Sequence, residues 1–149
     1  MPTLKSIVAA ALAEDIGRGD VTTEAAVSPS TRAIGRLVAR QRAVVAGLDV
    51  AREVFRQVGG TVWRTRAEDG DTVRSGQVVA EIHGRARSIL TGERVALNFL
   101  QRLSGTATLT RAFEDDLKRS KTWTAEEWRR RPFYNKILEG FWALFAEIF

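Results

Sequence analysis

The residues best suited to chemistry lie in the stretch TGERVALNFLQRLSG, Thr91 to Gly105. Within it Arg94, Asn98, Gln101 and Arg102 recur at spacings of three and four, so on a helix they share one face. Val95, Ala96, Leu97, Phe99, Leu100 and Leu103 cover most of the remaining circumference, which predicts a helix buried on nearly all sides. Two guanidiniums on such a helix are costly unless something negative meets them. That partner is either a carboxylate of the same chain, with Glu14, Asp20 and Glu93 as the nearest choices, or an anionic ligand. A guanidinium holds and neutralises carboxylates and phosphates but cannot shuttle protons at neutral pH.

Other chemistries find little support. The chain has no cysteine and a single histidine, His83, which excludes disulfides, thiolate metal sites and a histidine pair for a metal. His83 ends a strand beside Gly84 and is expected at the surface or at a sheet edge. Glu14, Asp15 and Asp20 form an acidic cluster, but they flank a turn of small residues and are expected to cap and solvate a loop rather than hold magnesium. No catalytic residue and no metal ligand are assigned.

The elements that must position the arginine row follow from the rest of the chain. Thr3 caps a first helix with Leu4, Ile7, Val8, Ala11 and Leu12 as its apolar stripe, ended by Gly17. EDIGRGDVTTEA reads as a glycine-punctuated acidic loop, with Asp20, Thr22 and Thr23 in a turn. AIGRLVARQ and RAVVAG carry strand signals, and LDVAREVFRQV returns to helical spacing before stopping at Gly59 and Gly60. TVWRTRA, QVVAEIHG and ARSIL read as further strands, with EDGD as a turn. Thr91 is expected to cap the central helix, with Glu93 in its first turn.

A chain of 149 residues, 44% of them hydrophobic, builds one ordinary core with an appendage. The net charge of +5 comes mostly from arginines scattered along the chain, which suits small anionic ligands better than nucleic acid. The N-terminal segment is an ordinary amphipathic stretch, unlike a signal peptide. Strands around one helix give an α+β class, as a small antiparallel sandwich of hammerhead or barrel-sandwich type with a buried central helix. DGDTVRSGQVVAEI also resembles the half-barrels of biotinyl and lipoyl carriers, but no lysine stands between Lys5 and Lys118 to carry the cofactor.

EDIGRGDVTTEA, ARQRAVVAGLDVAREVF, DGDTVRSGQVVAEIHG and above all ERVALNFLQRLSGTATLTR resemble, in this order, the N-terminal domain of quinolinate phosphoribosyltransferases, over about residues 4 to 112. The resemblance implies an α+β sandwich followed by an α/β barrel that binds quinolinate and phosphoribosyl pyrophosphate, with magnesium, in NAD biosynthesis. It also implies a dimer in which this domain closes over the partner's barrel. Arg94, the arginine of the family's ER pair, would then hold anionic substrate in the neighbour's site. Arg102, on the same row, is the second candidate for substrate binding.

After Arg111 the barrel segments expected of the family do not follow, and composition changes abruptly. Three of four tryptophans and five of seven phenylalanines stand from Phe113 onward. Residues 1–112 are therefore expected to form the family domain and residues 113–149 an aromatic-rich helical tail. Thr124 and Glu127 suit a capping box, and Pro132 opens a last amphipathic helix through Phe133, Ile137, Phe141, Phe145 and Phe149. At under roughly 20 residues, with charges, that helix does not span a membrane. The tail faintly resembles the C-terminus of phospholipase D-type cardiolipin synthases, whose paired His-x-Lys motifs are absent here. What carries over is membrane proximity through aromatics and Arg129, Arg130 and Arg131.

These observations predict a cytoplasmic phosphoribosyltransferase N-terminal domain that contributes Arg94 and dimer surface, cannot catalyse without a barrel, and binds no cofactor or metal itself. Its expected partners are a second copy or a separate barrel domain and an anionic small molecule, with peripheral contact to the inner face of the membrane through residues 129–149. The alternative is a non-enzymatic scaffold whose C-terminal helix binds membrane or itself.

Overall fold

The structure is a computed structural model that describes residues 1–17 and 21–120 with Thr124 and Glu126, giving only the backbone of Val21, Thr22 and Glu24. Asp20, Glu127 of the expected capping box, the run Arg129 to Arg131 and the aromatic helix of residues 132–149 lie outside the described residues. The described elements are α1 (Leu4–Ile16), α2 (Val21–Ala26), β1 (Arg32–Val38), β2 (Ala43–Val44), α3 (Leu48–Val58), β3 (Thr61–Thr65), β4 (Thr72–Val73), β5 (Val78–Arg85) and α4 (Ala86–Arg119). Met1–Phe113 forms one compact unit.

The class is α+β, with two small antiparallel sheets and no closed barrel among the described residues. One sheet has the order β1-β5-β3 and the other pairs β2 with β4. In the larger sheet β5 is central, with Gly35 and Trp63 both opposite Ile82 and Arg36 and Arg64 both opposite Glu81. Alternation therefore sends Gly35, Leu37, Trp63, Ala80 and Ile82 to one face and Ile34, Arg36, Val62, Arg64, Glu81 and His83 to the other. The first face belongs to the core with Val8 and Leu12 of α1, Val54 and Phe55 of α3, and Val95, Ala96 and Leu100 of α4.

Local sequence accounts for the helix ends. Thr3 and Ser6 form the capping box of α1, and Gly17, at φ +51°, ends it. Gly47 stands at the N-terminus of α3, and the Asp69 carboxylate accepts from the Gly47 and Leu48 amides, both at 3.0 Å. An acidic group there also complements the helix dipole. A side chain at position 47 would need φ +96° and would put its Cβ 2.6 Å from Leu103 Cδ1, so only glycine fits.

Five expectations need correction. ARSIL is the first turn and a half of α4, and Thr91 does not cap, because its hydroxyl donates to the Arg87 carbonyl at 2.9 Å inside a continuous helix. Short apolar runs do not distinguish strand from helix, and here helical geometry lets Ile89 pack on the glycine gap of β1 at Gly35. Residues 21–26 are helix rather than loop. In RAVVAG only Ala43 and Val44 pair as strand. The central helix is half-exposed rather than buried on nearly all sides: Val95, Ala96 and Leu100 face the core, whereas Arg94, Asn98, Gln101, Arg102 and Leu103 are exposed. The polar row is thus the solvent face of an ordinary amphipathic helix.

Candidate substrate-binding site

The arginine row is displayed by a helix anchored along two stretches of its length. In the first, Gly92 packs so closely on Phe55 that an added Cβ would lie 2.9 Å from its ring, while Val95, Ala96 and Leu100 are buried. In the second, hydroxyls hold the helix to the backbone of residues 44–46. Ser104 Oγ accepts from the Ala46 amide at 3.0 Å and donates to the Ala46 carbonyl at 3.1 Å. Thr108 Oγ1 accepts from the Val44 amide at 2.9 Å. Further along, Arg111 donates to Thr72 Oγ1 at 3.1 Å.

On this anchored helix Arg94 is 76% exposed and, among the described residues, its side chain meets only Asp15 Oδ1, at 3.4 Å. The sequence pointed to Glu14, Asp20 or Glu93 as its alternative protein partner, and the side chain reached is the neighbour of Glu14, at the end of α1. A long, exposed ion pair of this kind contributes little and is readily exchanged for another anion. Arg102 is exposed and has no side-chain partner among the described residues. Asn98 and Gln101 are exposed beside it. The row therefore presents cations and amides outward, suited to holding an anion by charge and hydrogen bonds.

A shallow cleft of about 460 Å³ lies beside Asp15, lined by Ala9, Leu12, Ala13, Ile16, Gly17, Gln57, Val58 and Thr91. Its lining carries no charged group, so it has nothing to hold a carboxylate or phosphate. Among the described residues no three His, Cys, Asp or Glu side chains come together to hold a metal ion.

Two carboxylates sit in structural networks instead. Glu53 of α3 accepts two bonds from Arg56, each at 2.6 Å, and one from Gln57 at 2.8 Å. Those bonds, Arg56 first, hold its pKa down from 4.5 to about 2, against a smaller opposing effect of burial. Gln57 also donates to the Lys5 carbonyl, tying α3 to α1. On the outer sheet face Glu81 meets Arg66 at 2.7 Å and Arg36 at 3.3 Å. The Arg66 bond is the largest cause holding the Glu81 carboxyl below its ordinary range. His83 stands on the central strand, not at an edge, with Nε2 buried, lacking a hydrogen bond among the described residues and 3.7 Å from Glu81 Oε2. Sequence reasoning missed Asp69, Ser104 and Thr108 as structural groups. Helical spacing of four between Ser104 and Thr108 is the one signal that could have linked two of them.

Comparison with known proteins bears on the same segment. The family described as quinolinate phosphoribosyl transferase, N-terminal domain, matches residues 20–104, within the span of about 4 to 112 that the sequence motifs suggested. A probable nicotinate-nucleotide pyrophosphorylase (carboxylating) of Methanothermobacter thermautotrophicus is 37% identical over 76 residues, 51% of this chain and 27% of that protein. The corresponding Mycobacterium leprae protein is 44% identical over 71 residues, 45% of this chain and 25% of its own length. The solved nicotinate-nucleotide pyrophosphorylase of Francisella tularensis superposes with a TM-score of 0.74 at 33% identity, covering 80% of this chain and 42% of that one. NadC from Streptococcus pyogenes gives 0.73 at 40% identity, over 75% of this chain and 40% of its own. The matched part thus spans about a quarter of the curated relatives and about two fifths of the solved chains. On this match of 85 residues out of 149, with the fold that accompanies it, the chain belongs to the quinolinate phosphoribosyl transferase N-terminal domain family.

Proposed function

We propose that this chain is the substrate-binding and dimerising N-terminal part of a quinolinate phosphoribosyltransferase acting in NAD biosynthesis, and that alone it does not form nicotinate mononucleotide. The observation that carries this reading is Arg94, which lies inside the matched segment on an anchored helix and, among the described residues, is held only by an exposed 3.4 Å pair. Its role is to position and neutralise a carboxylate or phosphate in the site of a partner's barrel, with Arg102 as the second cation of the row. Chemistry at the reacting carbon belongs to the barrel in this reading. So does magnesium, which arrives with phosphoribosyl pyrophosphate, and residues 113–149 are assigned to a separate helical tail. Cytoplasmic location accords with this role, and no helix among the described residues is long and apolar enough to cross a membrane.

The test is complementation. The chain is mixed with a barrel-only fragment of a relative, and nicotinate mononucleotide is measured from quinolinate and phosphoribosyl pyrophosphate. Activity is expected only in the mixture and is expected to fall at least about a hundredfold with Arg94→Ala, the scale of losing one charge-stabilising group. Turnover by the chain alone would overturn the predicted inactivity. Failure to complement, with liposome binding that is lost on deleting residues 132–149, would instead favour the scaffold that associates with membrane through its tail.

A further inference from the structure

The first helix ends on carboxylates that its own geometry disfavours. Glu14 and Asp15 stand in the last turn of α1, at the negative end of the helix dipole, and that turn holds no basic residue. Among the described residues the cation that meets Asp15 is Arg94, 79 positions further along the chain. The Asp15 side chain is 25% exposed against 76% for Arg94, so the acid is the fixed member of the pair and the arginine the presented one. Both stand on backbone that the core holds in place. Val8 and Leu12 of α1 share one cluster with Val95 and Ala96 of α4, and Gln57 ties α1 to α3 through the Lys5 carbonyl.

The contact uses one corner of the guanidinium. Nη1 donates to Asp15 Oδ1 at 3.4 Å, which leaves the edge formed by Nε and Nη2 without a side-chain partner among the described residues. That edge carries two parallel N–H groups, the geometry that grips both oxygens of a carboxylate, or two of a phosphate, at once. Weak as it is, the Asp15 bond need not break when an anion arrives, because the incoming group takes the other edge. We propose that Asp15 is a positioning residue for Arg94, holding the Nη1 corner so that the Nε and Nη2 edge is preset to receive one oxyanion of the substrate.

The consequence for catalysis rests on the reading of Arg94 as a substrate-binding residue, whereas the orientation of its side chain can be measured without it. An arginine that is already oriented loses less side-chain freedom on binding, and one long side chain immobilised in advance changes affinity by about threefold to tenfold. Asp15 therefore contributes order rather than stability, as expected of an exposed ion pair.

Two measurements test it. In NMR of the full chain, the Arg94 Nε–H signal, assigned by its loss in Arg94→Lys, is expected to show an order parameter above about 0.6 and to fall below that value in Asp15→Ala. In the complementation mixture, Asp15→Ala is expected to lower kcat/KM about threefold to tenfold, mainly through KM, but less than about twofold when Arg94 is already alanine. A rise in the KM of quinolinate marks the held group as a carboxylate, and a rise in that of phosphoribosyl pyrophosphate marks it as a phosphate. Asp15→Asn keeps an oxygen acceptor and is expected to fall between the unaltered chain and Asp15→Ala; it takes the place of Asp15→Ala should circular dichroism show that variant unfolded. An Arg94 signal that is disordered in the unaltered chain, or equally ordered without Asp15, overturns the proposal. So does a kcat/KM that Asp15→Ala leaves unchanged or raises, the latter making Asp15 a competitor of the substrate, or an equal loss in both Arg94 backgrounds. Should the unaltered mixture show no activity, the enzymatic reading fails, and the NMR comparison still decides whether Asp15 positions Arg94.

Discussion

Residues 92–100 and residues 103–111 belong to one helix but meet the fold by different physics. The first stretch buries Val95, Ala96 and Leu100 against a core that includes Val54 and Phe55, where burial of apolar surface dominates and small adjustments are tolerated. The second stretch presses Leu103 on Gly47 and uses Ser104 and Thr108 to complete the hydrogen bonding of the segment beside β2. Here helix hydroxyls serve amides and a carbonyl that would otherwise lack partners, so geometry rather than hydrophobicity sets the register. Together they fix the helix along its length, which lets Arg94 stand exposed at a defined position with almost no interaction of its own.

The sharpest way to break the first stretch is Leu100→Ala, expected to cost about 3 kcal/mol through lost burial and the cavity left behind, read from urea denaturation. Ser104→Ala tests the second. Leaving the Ala46 amide and carbonyl unpaired is expected to cost about 1–2 kcal/mol, with little change in the m-value because almost no apolar area is involved. A cost equal to that of Leu100→Ala would remove the distinction between the stretches.

Glu53, the buried charged residue of the core side, gives a pH-dependent version of the same test. Its pKa is lowered in the folded state, so its contribution is fully present above 4.5 and is lost as pH falls toward about 2. Glu53→Gln is expected to flatten the acid limb of stability over that window, and an unchanged limb would show that other carboxylates produce it. The smallest effect is expected at Arg94, where replacement by alanine should change stability by less than about 0.5 kcal/mol. A larger loss in thermal unfolding would mean that the Asp15 pair is structural and would weaken the case for a ligand.

Much of this arrangement was legible before folding. The cap at Thr3, the stop at Gly59, the three longer strands and the helix from Leu48 rest on local stereochemistry and periodicity, which short windows carry. The fate of ARSIL was not legible, because its two compatible geometries differ only in what they pack against, and the gap at Gly35 lies far away in sequence. The same limit applied to the polar row. Spacing showed that Arg94, Asn98, Gln101 and Arg102 share a face, but not that this face points to solvent.

By itself the sequence determined the class of fold, the family, and the presence of two arginines on one helical face, since each follows from local pattern or from motifs in fixed order. Only the tertiary structure decided that α4 runs unbroken from Ala86 to Arg119 and that Ser104 and Thr108 secure it to the segment beside β2. It also left Arg94 weakly paired. The reason is physical: exposure and hydrogen-bond partnership depend on segments distant along the chain, and a helix carries no local mark of which side its neighbours will take.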